Sequence, residues 1–88
     1  MANNKSAIKR WHQSLKRRDR NRARRTAARS AVRTLREAVA AGDVTLAAET
    51  LATAFSSLDR AAKNGSIHTG KADRTKSRLA RLVARSQP

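Results

Sequence analysis

Residues 5–41 read KSAIKRWHQSLKRRDRNRARRTAARSAVRTLREAVAA, a stretch with no Gly, no Pro and no strand-like alternation. Gly and Pro are the residues that punctuate regular structure. Ala23, Ala27, Ala28 and Ala31 interleave the basic run with the strongest helix former. The stretch therefore predicts one unbroken helix, about 55 Å long at 1.5 Å per residue. Gly42 suits the left-handed stop of that helix, and Asp43 offers a side-chain oxygen to the free amides of the next. A second helix is expected over about 44–63, where Val44, Ala47, Ala48, Leu51, Phe55, Leu58 and Ala62 recur at spacings of three and four. Asn64-Gly65 ends it. A third helix over about 71–85 collects Ala72, Leu79, Leu82 and Val83 on one side, and Ser86, Gln87 and Pro88 should fray. The expected fold class is all-α: an antiparallel three-helix bundle forming a single domain over residues 1–88. A second helix of this length covers only the last part of the first, so Lys5 to about Arg20 should project without a protein partner.

Charge is placed unevenly along this frame. Residues 1–36 hold thirteen Lys and Arg against the single acid Asp19, a net +12, whereas 37–60 carry −3 and 61–88 carry +6. At 100° per residue, Lys16, Arg17, Arg18, Arg20, Arg22, Arg24 and Arg25 fall at all azimuths of the first helix. From Arg29 onward the pattern narrows. Arg29, Arg33 and Arg36 make one stripe, while Ala28, Ala31, Val32, Leu35, Ala38 and Val39 make another. A rod with cations on every side cannot lie against a protein core without desolvating unpaired guanidinium groups, but it can sit among phosphates. An ordinary solvated helix mixes signs, whereas here Arg18–Arg22, Arg25–Arg29 and Arg29–Arg33 repel one another at i,i+4. On the third helix Lys71, Arg74, Arg78, Arg81 and Arg85 form a second basic patch. Fifteen of the 21 cations are Arg, whose planar fork holds two phosphate oxygens and stacks on bases, although a GC-rich genome favours Arg codons too. Glu37, Asp43, Glu49 and Asp59 lie between the basic segments and are expected to face solvent, with Asp59 able to pair with Lys63.

The composition removes several classes of function. Without Cys there is neither a disulfide framework nor a thiolate metal site. His12 and His68 each lack a second ligand at metal spacing, and Ser6, Ser14, Ser30 and Ser77 lack an activating neighbour, so no catalytic residue, cofactor or metal is expected. The longest uninterrupted apolar run is Ala38 to Ala41, too short for a signal sequence or a membrane span, which leads to the expectation of a soluble, cytoplasmic protein. Leu, Ile, Val and Phe together number only 14 of 88 residues. A core this thin, opposed by the mutual repulsion of 21 cations, predicts marginal folding in the absence of a polyanion. Ile8, Trp11 and Leu15 form an apolar stripe in the projecting part, at the azimuth of the later basic stripe and not of the later core. Trp11 is open to two readings, stacking on an RNA base or covering helix stems and a neighbouring protein.

Several segments resemble the bacterial small-subunit ribosomal protein S20 family. They are Ala2-Asn3-Asn4-Lys5-Ser6-Ala7-Ile8-Lys9-Arg10, Arg20-Asn21-Arg22-Ala23-Arg24, Ala41-Gly42-Asp43, Leu58 through His68, and Lys71 through Leu79, in matching order and spacing over nearly the whole chain. The resemblance implies a three-helix bundle with a long first helix that binds 16S ribosomal RNA, at its 5′ domain and its long penultimate helix, and stabilises RNA folding in assembly. Carried over by position, the RNA contacts would be Lys5, Lys9, Arg10, Arg17, Arg24, Arg25 and Arg29 on the first helix, with Lys71, Arg74, Lys76 and Arg78 on the third. His68 falls at the family's Ile-His position. Charge placement adds Lys16, Arg18, Arg20, Arg22, Arg33, Arg36 and Arg81 to the expected interface. Two positions depart from the pattern: Gly70 stands where the family often has Asn, and Asp73 where it often has Ala. Asn would cap the third helix, and Gly caps less well by only a few tenths of a kcal/mol. Asp73 would then occupy the third helical position, where the helix dipole favours it.

The expected partner is thus 16S ribosomal RNA, with room for neighbouring small-subunit proteins and no expectation of a membrane, a small-molecule substrate or a homo-oligomer. A nucleoid or histone-like DNA-binding protein is the main alternative, since non-specific phosphate binding needs the same composition. A membrane-active helix would need a broad apolar face, which 16–25 lacks. A purely structural adaptor would leave the charge placement unexplained.

Overall fold

The computed structural model describes residues 5–86, in three helices and two tight turns: α1 (Lys5–Ala40), α2 (Val44–Lys63) and α3 (Thr69–Ser86). They form an antiparallel bundle in which α2 lies between α1 and α3, which touch each other least. The described chain measures 66 × 21 × 14 Å. Its radius of gyration of 17.6 Å far exceeds the roughly 12 Å of a compact chain of this length. Ala2-Asn3-Asn4 of the family resemblance, and Gln87 and Pro88, lie outside the described residues. Ser86, expected to fray, is the last residue of α3 and donates its hydroxyl to Val83 O at 2.8 Å.

Both turns are built the same way. Gly42 has φ +75°; its N–H donates to Val39 O and that of Asp43 to Ala38 O, both at 3.1 Å. Gly65 also has φ +75°, with its N–H on Ala62 O at 3.1 Å and that of Ser66 on Ala61 O at 2.8 Å. These crossed bonds satisfy the last carbonyls of each helix, and they need a left-handed residue where an L side chain is strained. Asp43 then serves the next helix, its Oδ1 accepting from Leu46 N at 3.0 Å.

The third helix begins earlier than its sequence suggests. His68, not Gly70, is the cap: His68 Nδ1 accepts from Gly70 N at 2.9 Å, and His68 O accepts the first helical bond from Ala72 N at 3.1 Å. Gly70 is therefore the second helical residue and Asp73 the fifth, beyond the first turn where the dipole would favour a carboxylate. Imidazole is absent from the usual list of capping side chains, which is why a Gly before a Lys looked like the start.

The core is small and mostly Ala. Leu35, Leu58, Leu79 and Val83 are its large members; Ala28, Ala38, Ala47, Ala54, Ala61 and Ala72 supply the rest. On α1 and α3 the buried residues are those the periodicity picks out. On α2 the buried line is Ala47, Thr50, Ala54, Leu58 and Ala61, rotated by about 70° at 100° per residue from the expected face. Val44 and Ala48 are exposed, while Leu51, Phe55 and Ala62 are half-buried flanks. Small side chains occupy the line of closest approach because α2 must pack on both sides. Thr50 is tolerated there because its hydroxyl donates to Leu46 O at 2.7 Å.

Gly42→Ala should destabilise the protein by about 1 kcal/mol, with Gly42→Asn less harmful. A Cβ at Gly42 meets nothing within 4 Å, so the loss, read from urea unfolding, isolates the backbone term.

Candidate nucleic-acid interface

The projecting part of α1 carries Lys5, Lys9, Arg10, Lys16, Arg17, Arg18 and Arg20, all exposed. Ile8 and Trp11 beside them are 48% and 60% exposed, and the Trp11 ring lies 5.0 Å from that of His12. Their stripe does not continue the bundle core. Arg22 is also exposed, but Asn21, Arg24 and Arg25 are half-buried, because the α2–α3 turn reaches α1 at this level. There Ser66, itself buried, donates its hydroxyl to Asn21 Oδ1 at 3.1 Å, and its carbonyl accepts from Arg25 Nη1 at 3.3 Å. The projecting rod therefore ends at about Arg20 and not at Arg25. Arg25 belongs partly to the bundle.

Beyond that clamp, Arg29, Arg33 and Arg36 are exposed on α1, and Lys71, Arg74, Arg78, Arg81 and Arg85 are exposed on α3. The two stripes are not separate surfaces. Because α1 and α3 barely touch, a groove runs between them: Arg25, Arg29 and Lys71 border one end, and Arg36, Arg78 and Arg85 border the other. No carboxylate lines either depression. Lys76 lies elsewhere, on the α2 side of α3, where Nζ pairs with Asp59 Oδ1 at 2.9 Å and stands 5.2 Å from the centre of the Phe55 ring. Asp59 thus takes Lys76 across the helix interface in place of Lys63 in its own helix. Glu37, Asp43, Glu49 and Asp59 are all exposed. His68 is exposed as well, and since Nδ1 accepts the capping bond, Nε2–H is the donor it can offer a ligand.

Sequence reasoning missed Asn21 and Ser66, whose pairing across 45 residues has no local signature, and it had no means of setting Lys76 apart from Arg74 and Arg78. Among the described residues no group of three or more His, Cys, Asp or Glu is placed to hold a metal, and no helix is long and apolar enough to cross a membrane.

This arrangement, a cationic rod continuing into a cation-lined groove, coincides with a family match: the model described as Ribosomal protein S20 matches residues 2–84. The chain belongs to the ribosomal protein S20 family. Among its relatives, the small ribosomal subunit protein bS20 of Geotalea daltonii is 51% identical over 83 residues, which cover 94% of this chain and 95% of that protein. The protein of the same name from Desulfovibrio desulfuricans is 49% identical over 83 residues, covering 94% of this chain and 93% of its own length. That of Colwellia psychrerythraea is 49% identical over 79 residues, covering 90% and 92%. The likeness to S20 thus takes in both the rod and the bundle.

The Asn21–Ser66 bond anchors the rod to the bundle. A double-mutant cycle with Asn21→Ala and Ser66→Ala, followed by denaturant unfolding, should return a coupling of about 0.5–1.5 kcal/mol.

Proposed function

We propose that this chain is a non-catalytic structural constituent of the small ribosomal subunit, in the cytoplasm, where it binds 16S ribosomal RNA directly and stabilises the RNA's folding by neutralising phosphates where RNA segments converge. The observation that carries this reading is the exposure of all seven cations from Lys5 to Arg20, which flank an exposed stripe of Ile8 and Trp11 with Asp19 the one acid among them, in a member of the S20 family. Such a rod is costly alone and favourable among phosphates on several sides. The rod and the groove give the protein two adjoining surfaces along α1 at which RNA can be held, their midpoints about 30 Å apart at 1.5 Å per residue. The contacts assigned are Lys5, Lys9, Arg10, Lys16, Arg17, Arg18, Arg20, Arg22 and Arg24 along the rod and its root; Arg25, Arg29, Arg36, Lys71 and Arg78 on the borders of the groove; Arg33, Arg74 and Arg81, exposed elsewhere on α1 and α3; and His68 at the turn. Lys76 contributes less, since Asp59 already neutralises it.

Replacing Arg29, Arg33 and Arg36 with Gln tests the scheme. Gln keeps helix propensity, and its neutrality removes like-charge repulsion, so thermal stability should hold or rise while RNA affinity falls. The slope of log K against log salt for a 16S transcript should become shallower by about 2 to 3. A flat salt dependence in the unmodified protein would contradict phosphate neutralisation. Equal affinity for duplex DNA at physiological salt would favour the nucleoid reading.

Helicity should also depend on RNA. Circular dichroism of the free protein at low salt should show less helix than the 36 residues of α1 require, and a 16S fragment should restore it. Full helicity and a cooperative melt without RNA would refute this.

A further inference from the structure

The end of the groove nearest the Ser66 clamp is the more enclosed of the two. It is a cleft of about 200 Å³ whose floor is aliphatic: Ala28 and Val32 from α1, Leu58 from α2 and Ile67 from the α2–α3 turn. Its rim is cationic, with Arg25 and Arg29 on one side and Lys71 on the other. No carboxylate lines it, so Arg25 and Arg29, like charges at i,i+4, have no counter-ion in the cleft.

From this we infer that the cleft is a receptor for one unstacked RNA base, with that nucleotide's phosphates held on the rim; the inference rests on the RNA-binding reading above and specifies one subsite within it. A bare phosphate does not explain the site, because four aliphatic walls would desolvate an anion without compensating it. A base does, since its faces are apolar while its own phosphates stay outside. The volume also fits a single ring system, an apolar cavity of about 150 Å³ being enough to take up benzene. No aromatic side chain lines the cleft, so the stacking partner is guanidinium. Arg25 is already held at the mouth by its bond to Ser66 O, and ordering it costs the complex little further entropy. Thr75 supplies a polar mark on the wall: its hydroxyl proton goes to Lys71 O at 2.8 Å, which leaves its oxygen to accept from a base amino group.

The test uses the full chain with methyl-labelled Val, Leu and Ile, titrated by NMR with adenosine 5′-monophosphate, with ribose 5-phosphate as the baseless control, and with a peptide of alternating Glu and Phe. The expected result is a saturable shift of the Val32, Leu58 and Ile67 methyl signals with the nucleotide and none with ribose 5-phosphate. Equal responses to the nucleotide and to ribose 5-phosphate, or no response to the nucleotide, would overturn the inference, and a stronger response to the peptide would give the cleft to a protein partner. In a second arm, Val32→Phe fills the cleft at constant charge. It should weaken binding to a 16S transcript roughly tenfold, with the salt slope unchanged because no phosphate contact is lost. Unchanged affinity in a variant that melts like the parent would overturn the base receptor while leaving the RNA-binding reading intact. Failure of the parent protein to bind the transcript would sink the broader reading, and the mononucleotide titration would still decide the cleft.

Discussion

A helix of 36 residues packed against partners of 20 and 18 is the constraint from which the rest of this molecule follows. Its last twenty residues can bury a face; its first sixteen cannot. The residue types obey that division. Ala28, Leu35 and Ala38 make a core stripe where partners exist, and where they do not, exposed cations flank the apolar stripe of Ile8, Trp11 and Leu15. The Ser66 clamp on Asn21 and Arg25 marks the boundary, and it lies at the level of the turn between the shorter helices, where packing against α1 has to stop.

The core that holds this arrangement is thin, and its thinness has a structural use. Six small Ala side chains let the helices approach closely, and α1 and α3 both pack on α2 while touching each other little. The gap between them is the groove. Arg and Lys stems line its edges, so cations far apart in the chain face the same trough without touching. Among the described residues the one ion pair, Lys76–Asp59, lies on the other side of α3, between α3 and α2, where it helps hold the two together. Neither end of the groove is lined by a carboxylate, whereas the packing side of α3 holds the Lys76–Asp59 pair.

The long helix, its stop at Gly42, the cap at Asp43 and the stop at Asn64-Gly65 were legible because each rests on local chemistry: propensity, positive φ, or a side-chain oxygen three residues from an amide. The core face of α2 was less legible. Periodicity weights large residues and so pointed toward Val44 and Ala48, whereas the line of closest approach prefers Ala and accepts Thr50 once its hydroxyl is bonded within the helix. The start of α3 is hidden for a similar reason, since His68 caps through a ring nitrogen that a list of capping oxygens overlooks. Of the candidate interface, the rod was readable from charge at all azimuths. The ion pair of Lys76 with Asp59 was not, because Arg74, Lys76 and Arg78 differ only in which neighbour each one faces.

What the sequence determined alone is the set of quantities that depend on neighbours within a turn or two of helix: where each helix runs, where Gly reverses the chain, and which segment has too many cations to bury. Family membership followed from the order and spacing of short motifs. Only the tertiary structure decided which cations share a surface. Arg29 and Lys71 are 42 positions apart, and no local term couples them. They border one cleft because α2 packs between their helices and the turn through Ile67 and Ser66 docks on α1. Long-range packing is set by side-chain size and by a few bonds across the bundle, and neither leaves a mark that a window of sequence can register.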